Sequence, residues 1–102
     1  MKLIIDAMSG DNAPEAIVSG CVMAAREFGQ EYILVGKEAV IKELLAKEKA
    51  EDLPISIRNA EDVIDMHDDP ATAVRRKKDS SMSVALRMMK DGEGDAMISA
   101  GN

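Results

Sequence analysis

The apolar positions of this chain fall into short runs that are separated by longer stretches of mixed character. Four of the runs have the length and Ile-rich composition of buried strands, and turn-forming residues follow them. They are Lys2–Asp6, Tyr32–Val35, Pro54–Arg58 and Ala96–Ser99. The chain is therefore expected to contain a small sheet.

Two stretches between these runs repeat apolar residues at the spacing of a helix. The first of these predicted helices has Asn12 near its cap, Pro14 in its first turn and Gly29 at its end. Its predicted apolar face consists of Ile17, Val18, Cys21, Val22, Ala25 and Phe28. The second helix is amphipathic, with the apolar residues Val40, Ile41, Leu44 and Leu45.

A polar stretch, Asn59–Ser81, precedes the last predicted helix. Within it we expect a helical turn at Glu61–Met66 and a short helix after Pro70. The last helix begins at a cap, either Ser80 or Ser81, and reaches Lys90. Its predicted buried face is Val84, Ala85, Met88 and Met89.

The alternation of strands and helices predicts right-handed crossovers and a fold of the α/β class. We expect three layers, with a mainly parallel sheet and helices on both of its faces. The last strand leads into Ser-Ala-Gly-Asn, and ligands of open α/β sheets bind at the carboxyl ends of strands. Residues 1–102 are therefore interpreted as the N-terminal α/β portion of a longer enzyme.

The charge and composition exclude several classes of function. A formal net charge of −6 and a nearly aromatic-free sequence argue against nucleic-acid binding, which needs basic surfaces and stacking side chains. No apolar run approaches the roughly 20 residues that span a bilayer, and residues 1–8 do not resemble a signal peptide. The single Cys21 has no partner for an internal disulfide or a zinc site, which fits a reducing compartment, and we expect the chain to be cytoplasmic. Because Cys21 lies within an apolar helical pattern, we expect its side chain to be buried.

The turn after the first strand, Asp6–Pro14, is the first candidate site. A strand-to-helix turn can offer backbone N–H groups to an anion, although an ordinary turn with a capping Asn explains the same spacing. Ser9 is not expected to be a nucleophile, because a nucleophile elbow needs Gly where Ala7 and Asp11 stand.

Two further segments carry concentrated charge. The acidic stretch with Asp62, Asp65, His67, Asp68 and Asp69 lacks the spacing of a calcium or zinc site, and we expect it to be solvated. The run Arg75-Arg76-Lys77-Lys78 is either a solvated helix face or an anion site. A run of this kind is usually a solvated face, but the serine pair Ser80-Ser81 weakens that interpretation, because cations, hydroxyls and helix N–H groups together suit an oxyanion.

Three segments together resemble a known family. DAMSGDNAP at 6–14, DPATAVRRKKDSSM at 69–82 and SAGN at 99–102 are similar in order and spacing to the bacterial acyl-(acyl-carrier-protein):phosphate acyltransferases of phospholipid synthesis. The chain departs from the family pattern at Ser9, where a second Gly is usual. Chains of this family are considerably longer than 102 residues.

The resemblance implies a fold similar to that of phosphate acetyltransferases and isocitrate-type dehydrogenases. It also implies a soluble homodimer that transfers long-chain acyl groups from acyl carrier protein to inorganic phosphate, without a cofactor or a metal. The acyl phosphate would pass to a membrane glycerol-3-phosphate acyltransferase. Members of the family associate peripherally with membranes, which places the protein in the cytoplasm or at the membrane surface.

The resemblance and the chemistry of anions together assign the candidate site. We expect the three segments to meet at one edge of the sheet. The residues expected to be catalytic, by orienting groups or acting as a base, are Asp6, Asp11 and Asn12. The residues expected to bind phosphate or the oxyanion are Gly10, Arg75, Lys77, Ser80, Ser81, Ser99, Gly101 and Asn102.

Two other functions remain open from the residues alone. One is a non-catalytic α/β module that binds an anion or mediates dimerisation. The other is a dinucleotide-dependent dehydrogenase, which the absence of a GxGxxG fingerprint disfavours.

Overall fold

A computed structural model of the chain describes residues 1–10, 12–61 and 80–99. These residues form a four-stranded sheet in which all neighbouring strands are parallel, in the order β3-β2-β1-β4. The strands are β1 (Lys2–Asp6), β2 (Glu31–Gly36), β3 (Ile55–Asn59) and β4 (Ala96–Ser99). The helices are α1 (Glu15–Phe28), α2 (Glu38–Lys47) and Ser81–Lys90, which we number α3. The predicted α/β class is confirmed.

The sheet has a core on each face, because alternate residues of a strand point to opposite sides. On one face, Ile5 and Leu34 belong to a buried cluster with residues of α1 and α2. On the other face, Ile4 and Val35 pack with the predicted inner face of α3. The helix residues that are buried in these two cores are Val18, Cys21, Val22, Ala25, Ile41, Leu45, Val84, Ala85 and Met88. Helices therefore cover both faces of the sheet, as predicted.

The ends of α1 show how the local sequence sets a helix. At its end, Gly29 adopts a φ of 66° and its N–H donates to the Ala25 carbonyl at 3.0 Å, which confirms the predicted stop. At its start, the main-chain carbonyl of Asn12 accepts from the Ala16 N–H at 3.0 Å. The N-cap residue is Pro14, without a capping side chain, so the prediction of an Asn12 cap is wrong.

Two apolar residues expected on inner faces are exposed. Phe28 is 67% exposed, because it ends α1 and lies at the rim of a groove beside β4. Val40 is 38% exposed, because Ile41 and Leu45, one turn apart, form the buried line of α2. Helical periodicity identified both helices but extended each apolar face too far.

The connection between α3 and β4 orients α3 relative to the sheet. The Asp95 N–H donates to the Lys2 carbonyl at 2.8 Å, and the Lys2 N–H donates to the Asp95 carboxylate at 2.7 Å. These bonds hold the chain between α3 and β4 at the amino end of β1. Since α3 packs across the sheet from there, its N-terminus lies toward the carboxyl edge, where the strands end. This places the start of α3 on the side of the candidate site.

Candidate functional site

The ends of β1 and β4 lie side by side at the carboxyl edge of the sheet. In the parallel register of these two strands, Asp6 is the partner of Ser99. The turn that follows Asp6 therefore lies next to Ser99 at the end of β4, although 93 positions separate Asp6 from Ser99. This is the edge at which open α/β sheets bind ligands.

Asp6 is a buried carboxylate with partners on both oxygens. Its residue is only 2% exposed. The Met8 N–H donates to Oδ1 at 3.1 Å, and the Ser99 hydroxyl donates to Oδ2 at 3.5 Å. Burying a carboxylate is costly unless it has hydrogen-bond donors, and each Asp6 oxygen has one. The geometry therefore suits Asp6 to orient the groups around it.

Ser9 connects the turn to the end of β4. Its Oγ lies 3.0 Å from the Oγ of Ser99, and it donates to the main-chain carbonyl of Asp6 at 3.4 Å. Gly10, which follows, has a φ of 96°, a left-handed conformation that glycine adopts without strain. Two of the three family-like segments thus meet through Asp6, Ser9 and Ser99. The contact of Ser9 was not predicted, and nothing in the sequence signals it.

The N-terminus of α3 carries the predicted serine pair. Ser80 is the N-cap, because its Oγ accepts from the Ser83 N–H at 3.1 Å, and it also donates to the Ser83 Oγ at 2.9 Å. Of the two caps that the sequence allowed, Ser80 is therefore the one used. Ser80 is fully buried and Ser81 is 3% exposed. The Ser80 hydroxyl stabilises the helix start, and its contact with phosphate stays a prediction.

Five of the predicted site residues lie outside the described residues: Asp11, Arg75, Lys77, Gly101 and Asn102. The acidic stretch and the elements expected within 62–79 lie outside them too. Asn12 is described and exposed, at the start of the turn into α1. The expected gathering of three segments at one edge is thus observed for two of them. For the third, only the start of α3 can be placed on that side.

An apolar groove lies between α1 and β4, and Asp6 is one of its lining residues. Its volume is about 390 Å³, and Ile5, Ile17, Gly20, Phe28 and Ile98 contribute to its walls. Ile98 is 49% exposed there. The groove leaves one face of β4 uncovered by the described residues.

Three further observations concern the described residues: the state of Cys21, the grouping of possible metal ligands and the length of the apolar helices. Cys21 is buried as predicted, and burial raises the pKa of its thiol from about 9 to about 12. Within 1–10, 12–61 and 80–99, no group of three or more His, Cys, Asp or Glu residues could hold a metal ion. In the same residues, no helix is both long and apolar enough to cross a membrane.

The fold and this edge define an α/β protein whose polar side chains gather where two parallel strands end. Comparison with known proteins then identifies the family. A family model described as "Fatty acid synthesis protein" matches residues 1–102, and the chain belongs to that family. The identification made from the three segments is confirmed.

Curated relatives carry the name "Phosphate acyltransferase". The protein of that name from Geobacter sulfurreducens is 50% identical over 102 residues, which are all of this chain and 30% of the relative. Those from Geotalea daltonii and Herpetosiphon aurantiacus are 48% and 46% identical and are covered to 30% and 28%. The chain therefore spans about three tenths of the length of these relatives.

Proposed function

We propose that this chain is part of an enzyme that transfers an acyl group from an acyl-carrier-protein thioester to inorganic phosphate. The observation that carries the proposal is the meeting of Asp6, Ser9 and Ser99 at the carboxyl edge of the sheet. The names of the relatives, which specify an acyltransferase and phosphate, support it. The family description, which specifies fatty acid synthesis, supports an acyl substrate.

The reaction needs positioning and charge stabilisation more than covalent help from the protein. A phosphate oxygen attacks the carbonyl carbon of the thioester, a carbon–oxygen bond forms, and the carbon–sulfur bond then breaks. The thiolate leaves and takes up the proton that hydrogen phosphate brought. Negative charge develops on the carbonyl oxygen during the attack, so fixed donors around it lower the barrier. Nucleophile and leaving group both come from the substrates, so this scheme uses no cofactor.

The residues of the chain divide between orienting and binding roles in this scheme. Asp6 orients the end of β4 through the Ser99 hydroxyl, to which its carboxylate is bonded. Gly10 and Asn12 shape the turn that faces that end, and Asp11 lies between them in the sequence. We assign the contacts with phosphate and the oxyanion to Arg75, Lys77, Ser80, Ser81, Ser99, Gly101 and Asn102.

The same proposal includes the partners that the resemblance implied. The acyl donor is carried by acyl carrier protein, and the product passes to a membrane acyltransferase that acylates glycerol 3-phosphate. The enzyme works as a homodimer in the cytoplasm and associates peripherally with the membrane. We infer these points from the resemblance described above, and the chemistry of an acyl phosphate, which needs an acceptor, supports the transfer to a further enzyme.

The test requires a full-length protein, which a chimera provides. In it, these 102 residues replace the matching segment of the Geobacter sulfurreducens relative, to which they are 50% identical. We expect the chimera to consume acyl-carrier-protein thioester only when phosphate is present, and mass spectrometry should detect acyl phosphate. The unaltered relative is the positive control, and the relative without its matching segment is the negative control.

Circular dichroism and gel filtration verify that the chimera is folded before its activity is interpreted. A folded chimera that leaves the thioester intact, beside an active relative, would contradict the proposal. If such a chimera still bound phosphate, the chain would be a non-catalytic anion-binding module. Binding of NAD in place of phosphate would indicate the dehydrogenase alternative.

A further inference from the structure

We propose that Ser9 is a positioning residue, which fixes the Ser99 hydroxyl and so holds the β1–α1 turn and the end of β4 in one arrangement for phosphate. The inference rests on the proposed function and adds to it a residue that the family-like segments did not assign.

The hydrogens available to the two serines give these bonds a direction. Each hydroxyl has one hydrogen and two lone pairs, and the 3.0 Å contact between Ser9 and Ser99 allows either to donate. If the Ser99 hydrogen lies on the Asp6 carboxylate, Ser99 accepts from Ser9. If Ser99 donates to Ser9, the carboxylate loses that bond. A carboxylate is the stronger acceptor, so we infer that Ser99 donates to Asp6. The single Ser9 hydrogen is then shared between two acceptors, the Ser99 Oγ at 3.0 Å and the Asp6 main-chain carbonyl at 3.4 Å.

The bond between Ser99 and Asp6 is long enough to need support. At 3.5 Å between Ser99 Oγ and Asp6 Oδ2, it is at the outer limit for a hydroxyl donor, whereas the Ser9 contact is 0.5 Å shorter at 3.0 Å. A hydroxyl held by one long bond can rotate away from its acceptor. The second partner restricts that rotation, so Ser9 determines where the Ser99 oxygen lies.

The first two residues of the turn after β1 contact β2. Its first residue, Ala7, donates its N–H to the Val35 carbonyl of β2 at 2.9 Å. The side chain of Met8 lies against Gly36, also in β2, where an added Cβ would come within 2.7 Å of it. Ser9 is the residue from which this turn reaches back to β4, across 90 positions of sequence. It therefore couples the β1–α1 turn to the end of β4.

Loss of the contact between Ser9 and Ser99 should affect phosphate binding more than folding. Ser99 presents its remaining lone pair at the carboxyl edge, and hydrogen phosphate has an O–H that can donate to it. Losing Ser9 should leave both strands intact but let the Ser99 oxygen move. We therefore expect the KM for phosphate to rise about threefold to tenfold in Ser9→Ala, with a small effect on kcat.

The experiment measures phosphate kinetics of the chimera with Ser9→Ala, Ser9→Thr and a matched control. Ser9→Thr keeps the hydroxyl and should stay within about twofold of the parent. Ser19→Ala, in α1 and outside these contacts, should leave both kinetic parameters unchanged. If Ser9 were merely structural, Ser9→Ala would lower the melting temperature and the active fraction without raising the KM for phosphate, and the inference would be wrong.

A double-mutant cycle tests whether Ser9 acts through Ser99. We expect Ser99→Ala to raise the KM for phosphate and the double variant Ser9→Ala/Ser99→Ala to be no worse than Ser99→Ala alone, because the second change removes a contact already lost. Additive effects of the two changes would overturn the inference. An inactive parent chimera, beside an active relative, would instead contradict the proposed function, so the two failures are distinguishable.

Discussion

At the scale of single residues, the candidate site is organised around a carboxylate that is almost completely withdrawn from solvent. Asp6 is 2% exposed and accepts from Met8 and Ser99. A buried carboxylate without hydrogen-bond donors destabilises the folded state, so the fold must keep the Met8 N–H and the Ser99 hydroxyl close to Asp6. A buried acceptor of this kind is well suited to fix the geometry of the groups that donate to it.

The sequence could predict Asp6 and Ser99 as site residues, but not that they lie in contact. A strand followed by a polar turn indicates where ligands bind, so Asp6 and Ser99 both follow from the pattern of the chain. Their pairing depends on the register between β1 and β4, which are far apart in sequence, and no local signal encodes that register. The Ser9 contact depends on it too, and for this reason only the structure revealed it.

Arg75 and Lys77 are the residues for which the proposed function makes its strongest kinetic prediction. Replacing either with Ala in the chimera should lower kcat/KM for phosphate roughly tenfold to a hundredfold, which corresponds to about 1.5–3 kcal/mol for a charge-assisted contact. Steady-state kinetics at varied phosphate concentrations measure the effect. Lys47→Ala, on the exposed surface of α2, is a matched loss of charge. Unchanged phosphate kinetics in both variants would return the basic run to the interpretation of a solvated helix face.

Cys21 provides a prediction about pH, because burial raises the pKa of its thiol from about 9 to about 12. Below pH 9 the thiol is protonated in both the folded and the unfolded chain, so it adds no pH dependence. Between pH 9 and 12 only the unfolded chain loses the proton, so the free energy of unfolding falls as pH rises, by at most about 1.4 kcal/mol per pH unit.

Urea unfolding of the chimera at pH 8 and pH 10 measures this dependence. Cys21→Ala is the control, because it removes the thiol and leaves the other groups that titrate in this range. We expect the parent to lose more stability than Cys21→Ala between the two pH values. Equal losses would show that the Cys21 thiol titrates normally in the folded protein.

At the scale of elements, helix ends were predicted from local chemistry and helix faces from periodicity, with different success. The stop of α1 at Gly29 is confirmed, and Ser80 is the cap of α3 out of the two serines that the sequence allowed, whereas the Asn12 cap of α1 is wrong. The inner faces of α1 and α2 were drawn too wide at Phe28 and Val40. How far a helix face stays buried depends on where the sheet beneath it ends, which periodicity does not contain.

Two glycines, one inside α1 and one at its C-cap, predict opposite effects of the same substitution. Gly29 has a φ of 66°, so Gly29→Ala should destabilise the protein by about 1 kcal/mol, because a Cβ is strained in this conformation. Gly20 lies within the helix, and an added Cβ there meets nothing within 4 Å. Gly20→Ala should therefore stabilise the protein by about 0.5–1 kcal/mol. Urea unfolding of both variants compares them, and a change of the same sign in both would contradict this account of α1.

At the scale of the whole molecule, the described sheet is covered unevenly. One face of β4 borders the groove beside α1, where Ile98 is 49% and Phe28 is 67% exposed. Exposed apolar surface of this kind favours association, and larger proteins commonly bury it. The chain spans 30% of the Geobacter sulfurreducens relative, so most of the residues that such a protein could place against this groove are not among these 102.

The last prediction is that the 102-residue chain by itself makes no acyl phosphate, whereas the chimera does. Stabilising a developing oxyanion requires donors fixed around it, and the described edge supplies groups from the ends of β1 and β4 and from the start of α3. The groove beside Asp6 should also make the isolated chain self-associate, which analytical ultracentrifugation detects. Incubation with acyl-carrier-protein thioester and phosphate, followed by mass spectrometry, tests activity directly. Acyl phosphate formed by the isolated chain would show that these residues contain the complete catalytic site. It would contradict the hypothesis that residues beyond the matched segment, as found in the longer relatives, complete the site.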